Sequence, residues 1–350
     1  MVKPVEPNQC HILVVGVGGA GNNTVTRLME MDLTDTECIA INTDKQHLNA
    51  TNATKKILIG KKTTHGVGAG GDPKIGKAAI EESKKCVGNL FNNVDVVFIA
   101  VGLGGGTGTG AAPVIAEIAR RRGATVVGVV TMPFRIEKGR IQCATEGLRE
   151  MQRKCDTVVV IDNDKLMGLV PHLPLNEAFK IADQVLANMI KGIVETISEP
   201  SLINLDFADF KTVVKKGGVA IVGIGESDAP NRAEEAVRNA LRSPLFNIDC
   251  EGATGALIHV SGDNAMTIEE ANRVGEIVTE MMSKNATVAW GARVNPDLAG
   301  ALKVTLFMTG VRSPLQPSWL GMGMSKIYNM DPYPELEEPL GIDLDLDQIE

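Results

Sequence analysis

Short apolar runs rich in Val and Ile recur through the first half of the chain, at residues 11–15, 37–41, 94–101, 125–131 and 157–161, and a helix-like pattern follows most of them. Runs of this kind suit strands buried on both faces, so their alternation with helices predicts a mostly parallel sheet covered on both sides. Between 175 and 198 the residues Phe179, Ala182, Leu186, Met189, Ile193 and Ile197 fall at spacings of three and four. That spacing predicts one long amphipathic helix, ended at Pro200. Further strand-like segments at 219–224, 256–260, 287–290 and 302–308, with helical patterns near 232–241 and 268–283, predict a second, smaller α/β domain. Residues 313–350 are rich in Pro, Gly and acid and read as a mobile tail.

One strand-to-helix junction carries most of the chemistry. Residues 104–110 read GGGTGTG, between the apolar run 94–101 and the Ala-rich stretch 111–120. The expectation is a strand, a loop of almost bare backbone, then a helix. Phosphate oxygens approach such backbone N–H groups closely, and Thr107 and Thr109 add hydroxyl donors. A flexible connector would be Ser-rich and would not sit between a buried strand and a helix. A second run, GVGGAG at 16–21, matches the dinucleotide fingerprint, with Asp44 as a candidate ribose ligand. A nicotinamide-dependent oxidoreductase is therefore a rival reading, weakened by the second phosphate loop, which implies a longer phosphate chain. A third run, GDPKIGKA at 71–78, imitates a Walker loop but has Ala78 where that loop needs its Mg²⁺-binding hydroxyl. The Gly/Ala segment 65–71 remains able to approach a terminal phosphate.

Composition narrows the function further. The 350 residues carry a net charge of −8, and eight acids without Lys or Arg lie in residues 331–350. Removing those eight from the 43 acids leaves as many as the 35 Lys plus Arg, so the body is formally neutral. With only 3% aromatic residues and no basic excess, nucleic-acid binding is disfavoured. Six scattered cysteines without CxxC spacing support neither a zinc site nor a disulfide framework, and no protein-built metal site is expected. No apolar stretch approaches the ~20 residues that span a bilayer, and residues 1–10 lack a signal-peptide core, so a cytoplasmic location without membrane insertion is expected.

The motifs at 16–23, 42–44, 68–73, 104–110, 133–134, 163–166 and 204–209 stand in the order found in FtsZ, the tubulin-like cell-division GTPase of prokaryotes. The resemblance covers about residues 10–312. The pairing of GGGTGTG with NLDFAD at 204–209, an NxDxxD pattern, is highly specific. It implies a tubulin/FtsZ-like α/β fold: a Rossmann-like parallel-sheet GTP-binding domain over 10–174, a connecting helix over 175–200, a smaller α/β activation and assembly domain over 201–312, and the acidic tail 313–350. By this resemblance Gly18, Gly19 and Asn23 contact GTP or GDP from the first loop, Ala69, Gly70 and Gly71 lie near the γ-phosphate, and Gly104, Gly105, Gly106, Thr107, Gly108 and Thr109 hold the phosphate chain. Asn163 and Asp183 read the base, Phe179 stacks on guanine, and Glu137 reaches a ribose hydroxyl. The family spaces Glu and Arg by four positions in this loop and the chain has three, which leaves Arg140 and Arg135 as alternatives for the basic contact.

The resemblance further implies that Asn204, Asp206 and Asp209 act on the nucleotide of a neighbouring subunit in a head-to-tail filament. Mg²⁺ would be bound mainly through phosphates and water. The filament would form the cytokinetic ring at the division site, near the inner face of the membrane. Apolar residues interspersed with acids at 340–350 suit a partner such as a membrane-tether protein. A tubulin-superfamily shape or scaffold protein is the other reading of the same fold.

Overall fold

A computed structural model of the protein describes residues 10–31, 33, 36–164, 174–198, 201–203, 205–215, 217–241 and 252–311. The first apolar run forms β1 (Ile12–Val17), buried along its length, and the chain turns directly into α1 (Gly18–Glu30). Then come β2 (Thr36–Asn42), α2 (Lys45–Ala50), β3 (Lys55–Leu58), α3 (Lys61–Thr64) and α4 (Pro73–Gly88). Two strand–helix units follow, β4 (Val96–Gly102) with α5 (Gly106–Arg121) and β5 (Thr125–Met132) with α6 (Lys138–Lys154). Strand β6 (Thr157–Asp162) precedes the long α7 (Leu175–Ser198). Beyond it lie α8 (Phe207–Val214), β7 (Val219–Ser227), α9 (Arg232–Leu241), β8 (Gly255–Gly262), α10 (Ile268–Glu280), β9 (Thr287–Val294) and β10 (Leu302–Thr309).

Among the described residues these strands form one ten-stranded sheet in the order β3-β2-β1-β4-β5-β6-β7-β10-β8-β9. Strand β1 pairs in parallel with both β2 and β4, and β5 and β6 continue in parallel. Chain order thus reverses between β1 and β4. In a parallel sheet that reversal opens a crevice beyond the carboxyl ends of the strands, where α/β folds hold ligands. The near-total burial of β1, β4 and β5 matches their continuous apolar sequences.

Strand β7 pairs with β6 through Val158–Val219 and Val159–Ala220, close to the start of both strands. Strand β10 then runs antiparallel to β7 and β8, and β8 is parallel to β9. Phe210 on α8 packs between Phe98 of β4 and Phe307 of β10, with ring centroids 6.5 and 6.0 Å away. It is fully buried, so α8 is pinned to a core drawn from both parts of the sheet.

Helix α7 has the bounds its periodicity predicts, and Ala182, Leu186, Met189 and Ile193 are buried as expected. Phe179, in the same stripe, is instead 42% exposed. The short β3 was not marked by an apolar run, because it is an edge strand whose Lys55 and Lys56 face solvent. Helix α5 begins at Gly106 and not after the glycine run, so most of that run is helix. Pro200 and the whole of 313–350 lie outside the described residues. No helix among the described residues is long and apolar enough to cross a membrane.

Candidate functional site

The glycine run divides between two jobs. Gly104 takes φ +95°, a left-handed conformation that favours glycine, and makes the turn after β4. At Gly105 a Cβ would meet nothing within 4 Å, and this residue borders an open cleft. Gly106, Gly108 and Gly110 lie within α5, where neighbouring backbone presses on each. A Cβ on Gly106 would come 2.8 Å from the Asp72 nitrogen, one on Gly108 2.8 Å from the Gly102 oxygen, and one on Gly110 would run into the Pro73 carbonyl. These three glycines let α5 pack against the start of α4 and the end of β4. The first N–H groups of α5 have no partner within the helix and suit an anion.

The threonines of the run are buried. The Thr107 hydroxyl lies 2.6 Å from that of Thr43, and the Thr109 hydroxyl accepts the Gly104 N–H at 2.9 Å. Thr109 therefore fixes the turn from behind, and neither it nor Gly104 borders the cleft.

The cleft, about 830 Å³, lies beyond the carboxyl ends of β1, β4 and β5. Gly18, Gly19 and Asn23 of α1, Gly105 to Gly108, Glu137, Arg140, Asn163, Phe179 and Asp183 all border it. Gly18, at φ +74°, sits so close to the second loop that its Cβ would be 3.0 Å from the Gly108 nitrogen. The two glycine segments thus meet at one wall. Away from them are groups suited to a planar base. Phe179 lies edge-on to Phe134, with centroids 5.3 Å apart and planes at 71°. Asn163 Oδ1 is buried and has no hydrogen-bond partner. Burial pushes the Asp183 carboxyl up to about 7, against the opposing pull of Arg27 and a hydrogen bond from Asn23.

The shortened loop after β5 resolves into a tight turn. Glu137 accepts the Phe134 N–H at 3.2 Å and the Arg140 guanidinium at 2.5 Å. A Cβ on Gly104 would be 2.9 Å from Arg140 Cβ, so Arg140 packs on the phosphate-loop turn. Arg135 is tied elsewhere, with Nε 3.1 Å from Asp164 Oδ2, and does not border the cleft.

Other candidates lie off the cleft. Ala69 is buried against Gly106, whereas Gly70 and Gly71 take positive φ and have open space where a Cβ would stand. Asp44, the ribose ligand of the oxidoreductase reading, has Oδ1 accepting the N–H groups of Gln46 and His47 at 2.8 and 3.1 Å. It caps α2 and does not border the cleft, so that role is not supported. Asp206 and Asp209 are exposed, and Asp206 caps α8 by accepting the Asp209 N–H at 2.7 Å. From Asp183 to Ser198, α7 carries the chain about 20 Å at ~1.5 Å per residue. The strand that follows α8 then starts beside the start of β6, so these acids stand at the opposite end of the strands from the cleft. Asn204 lies outside the described residues. Among the described residues no three His, Cys, Asp or Glu side chains are grouped to hold a metal ion.

Arg27 and His47 border the cleft without having been marked in the sequence, and Thr43 supports it from behind. Arg27 is four positions after Asn23 on α1, a spacing that should have placed it on the same face. Thr43 braces Thr107 across 64 residues, which no local pattern reveals. His47 borders the cleft from α2 and likewise carries no local motif.

Comparison with known proteins agrees with this fold. The model of the Tubulin/FtsZ family GTPase domain matches residues 11–171, and that of the FtsZ family C-terminal domain matches 218–312. The chain is 52% identical over 312 residues to cell division protein FtsZ 2 of Methanocaldococcus jannaschii, covering 88% of this chain and 82% of that protein. It is likewise 52% identical to cell division protein FtsZ 1 of Pyrococcus furiosus, over 89% of this chain and 84% of that protein. The solved structure described as an empty FtsZ dimer from M. jannaschii superimposes with a TM-score of 0.82 at 52% identity, covering 87% of this chain and 89% of that one. With both domain models matched and about half of the aligned residues identical to these relatives, the chain belongs to the FtsZ family and is a tubulin-like GTPase of cell division.

Proposed function

We propose that the cleft binds GTP and that hydrolysis is completed by Asp206 and Asp209 of a neighbouring copy, in a head-to-tail filament that serves as the division ring. The observation that carries this reading is the separation of the two half-sites. The glycine loops stand at the carboxyl ends of the parallel strands, and the exposed acids stand at the other end. One chain does not bring them together. Two chains stacked along the strand direction do.

The residues present fit a guanine nucleotide. Gly105 leaves the approach to the first turn of α5 bare, and Gly18 and Gly19 add the first turn of α1. The orphaned Asn163 Oδ1 needs a donor. An ionised Asp183 accepts from guanine N1–H and N2–H₂, which adenine lacks. Phe179 offers an exposed aromatic face, Glu137 with Arg140 lies within reach of the ribose, and residues 69–71 flank the start of α5 for the γ-phosphate. Mg²⁺, held mainly by phosphates and water, would neutralise charge on the phosphate oxygens. Asn204, Asp206 and Asp209 of the neighbour would position the attacking water, so catalysis is positioning and electrostatics.

Exposed apolar residues support contact at both ends: Val67, 83% exposed, lies in the 65–71 loop, and Leu202, 73% exposed, precedes the acids. Such a heterologous contact does not close on itself and propagates as a filament. The limited pairing of β6 with β7 supports a boundary between a GTP-binding domain at 10–174 and an assembly domain at 201–312, joined by the helix region 175–200. The segment 340–350, in which apolar residues alternate with acids, is assigned to a membrane-tether protein at the division site. Its removal should leave GTPase activity and assembly intact while delocalising the protein in cells; loss of assembly would contradict the assignment. For the shared site, the test is the GTPase rate per subunit across a dilution series. The rate should rise steeply with concentration, and a constant rate in sedimentation-proven monomers would overturn catalysis in trans.

A further inference from the structure

His47 borders the cleft but has no part in the reading above. It is the third residue of α2, and its backbone is held at both sides: its N–H donates to Asp44, and its carbonyl accepts from the Thr51 N–H and hydroxyl. The segment before it is braced to the phosphate loop by the Thr43–Thr107 hydroxyl contact, and Lys45 N–H donates to the Gly66 carbonyl at 2.9 Å. The ring is therefore carried on backbone anchored to both phosphate-side loops. Its Nε2 is 3.9 Å from where a Cβ on Gly19 would stand, and Gly18 in turn abuts Gly108. This is the wall where the two glycine segments meet.

The other ring nitrogen decides the hydrogen-bonding sense. Nδ1 is buried and has no partner. A neutral imidazole carries one proton; Nδ1 offers it no acceptor, whereas Nε2 stands beside Gly19 at the cleft, so the neutral ring carries its proton on Nε2. That N–H points the donor toward the segment where helix α1 begins with free backbone N–H groups. An anionic oxygen there gains donors from two elements.

We propose that His47 Nε2 donates a hydrogen bond to a phosphate oxygen of the bound guanine nucleotide, making α2 part of the phosphate site. The inference rests on the placement of the phosphate chain proposed above. It is tested by calorimetric titration of nucleotide-free protein with GTP, GDP and guanosine, comparing wild type with His47→Ala, His47→Gln and His47→Asn, each checked for folding by thermal melting. His47→Ala should weaken GTP and GDP about fivefold, the scale of one hydrogen bond, and leave guanosine unchanged. Gln, whose amide nitrogen reaches as far as Nε2, should restore most of the affinity, and the shorter Asn should not. Wild-type GTP affinity in folded His47→Ala, or equal weakening of guanosine, would overturn the contact. Gly105→Val in the same titration separates the two levels. If it binds GTP normally, the phosphate-site reading itself fails; if it loses GTP while His47→Ala does not, only the His47 contact fails.

Discussion

Adjacent glycines in the phosphate loop differ in what a side chain would strike, and this gives the first prediction. At Gly105 the backbone is extended and the Cβ direction is open, so Gly105→Val should fold with near-wild-type stability and lose GTP binding because the methyls occupy ligand space. At Gly106 a Cβ meets Asp72 and Ala69, so Gly106→Val should displace the 69–72 loop and cost about 1–3 kcal/mol as overpacking, besides losing binding. Thermal melting and nucleotide titration on both variants check this, and equal melting temperatures would show that the helix tolerates the clash. Asp183 gives the second. In the proposed base contact its carboxyl, raised to about 7 by burial, must ionise to accept the guanine N1 proton. Guanosine affinity should therefore rise as pH increases toward about 7 and level off above it, with proton release on binding below that point. Guanosine avoids the titration of nucleotide phosphates, and Asp183→Asn should flatten the profile; an unchanged slope in that variant would assign the proton to another group. For the fold, the sign is separate: a carboxyl raised above its unfolded value favours the protonated native state, so its ionisation weakens folding as pH rises through this range, fully so above about 7.

At the scale of elements, long periodic segments were legible and close packing was not. Helix α7 follows from its three-and-four spacing because one face of it meets the core, whereas β3 at the edge has no buried face to mark it. The glycine run announces phosphate chemistry, yet three of its glycines exist because α5 lies against α4 and β4, a contact no local pattern encodes. The candidate residues of the cleft were named through whole motifs; Arg27 and His47, standing outside those motifs, were missed. Asp206 and Asp209 illustrate how one short helix assigns different jobs to like residues. Asp206 is the N-cap of α8 and Asp209 its partner through the backbone N–H, so only Asp206 is committed to holding the helix. Asp206→Ala should lower stability by about 1 kcal/mol, the usual value of such a cap, in addition to slowing hydrolysis. Asp209→Ala should keep wild-type stability, bind GTP, assemble, and hydrolyse poorly. Denaturant unfolding beside phosphate release distinguishes them, and a matching loss of stability in both would mean that Asp209 serves the helix as well.

The whole molecule places its cleft and its acid loop at opposite ends of the parallel strands, and in the proposed reading that separation makes activity a property of pairs. Phe210 seats α8 between Phe98 and Phe307, so the acid loop is expected to keep its geometry without nucleotide in its own subunit. A Gly105→Val subunit should therefore present intact acids without holding GTP, while Asp209→Ala holds GTP and lacks one acid. Each alone should be nearly inactive. Mixed, they should recover activity where an intact acid loop meets an occupied cleft, and the recovered rate should vary with the mixing ratio. Binding to one terminal contact requires only that the Gly105→Val subunit join the acid side of its fold to a GTP-bearing neighbour, so no nucleotide of its own is needed there. Recovery should accordingly be strongest when Asp209→Ala is in excess, with filaments confirmed by sedimentation. If co-sedimenting mixtures show no more activity than the sum of the separate variants, the acids act on the nucleotide of their own chain or not at all.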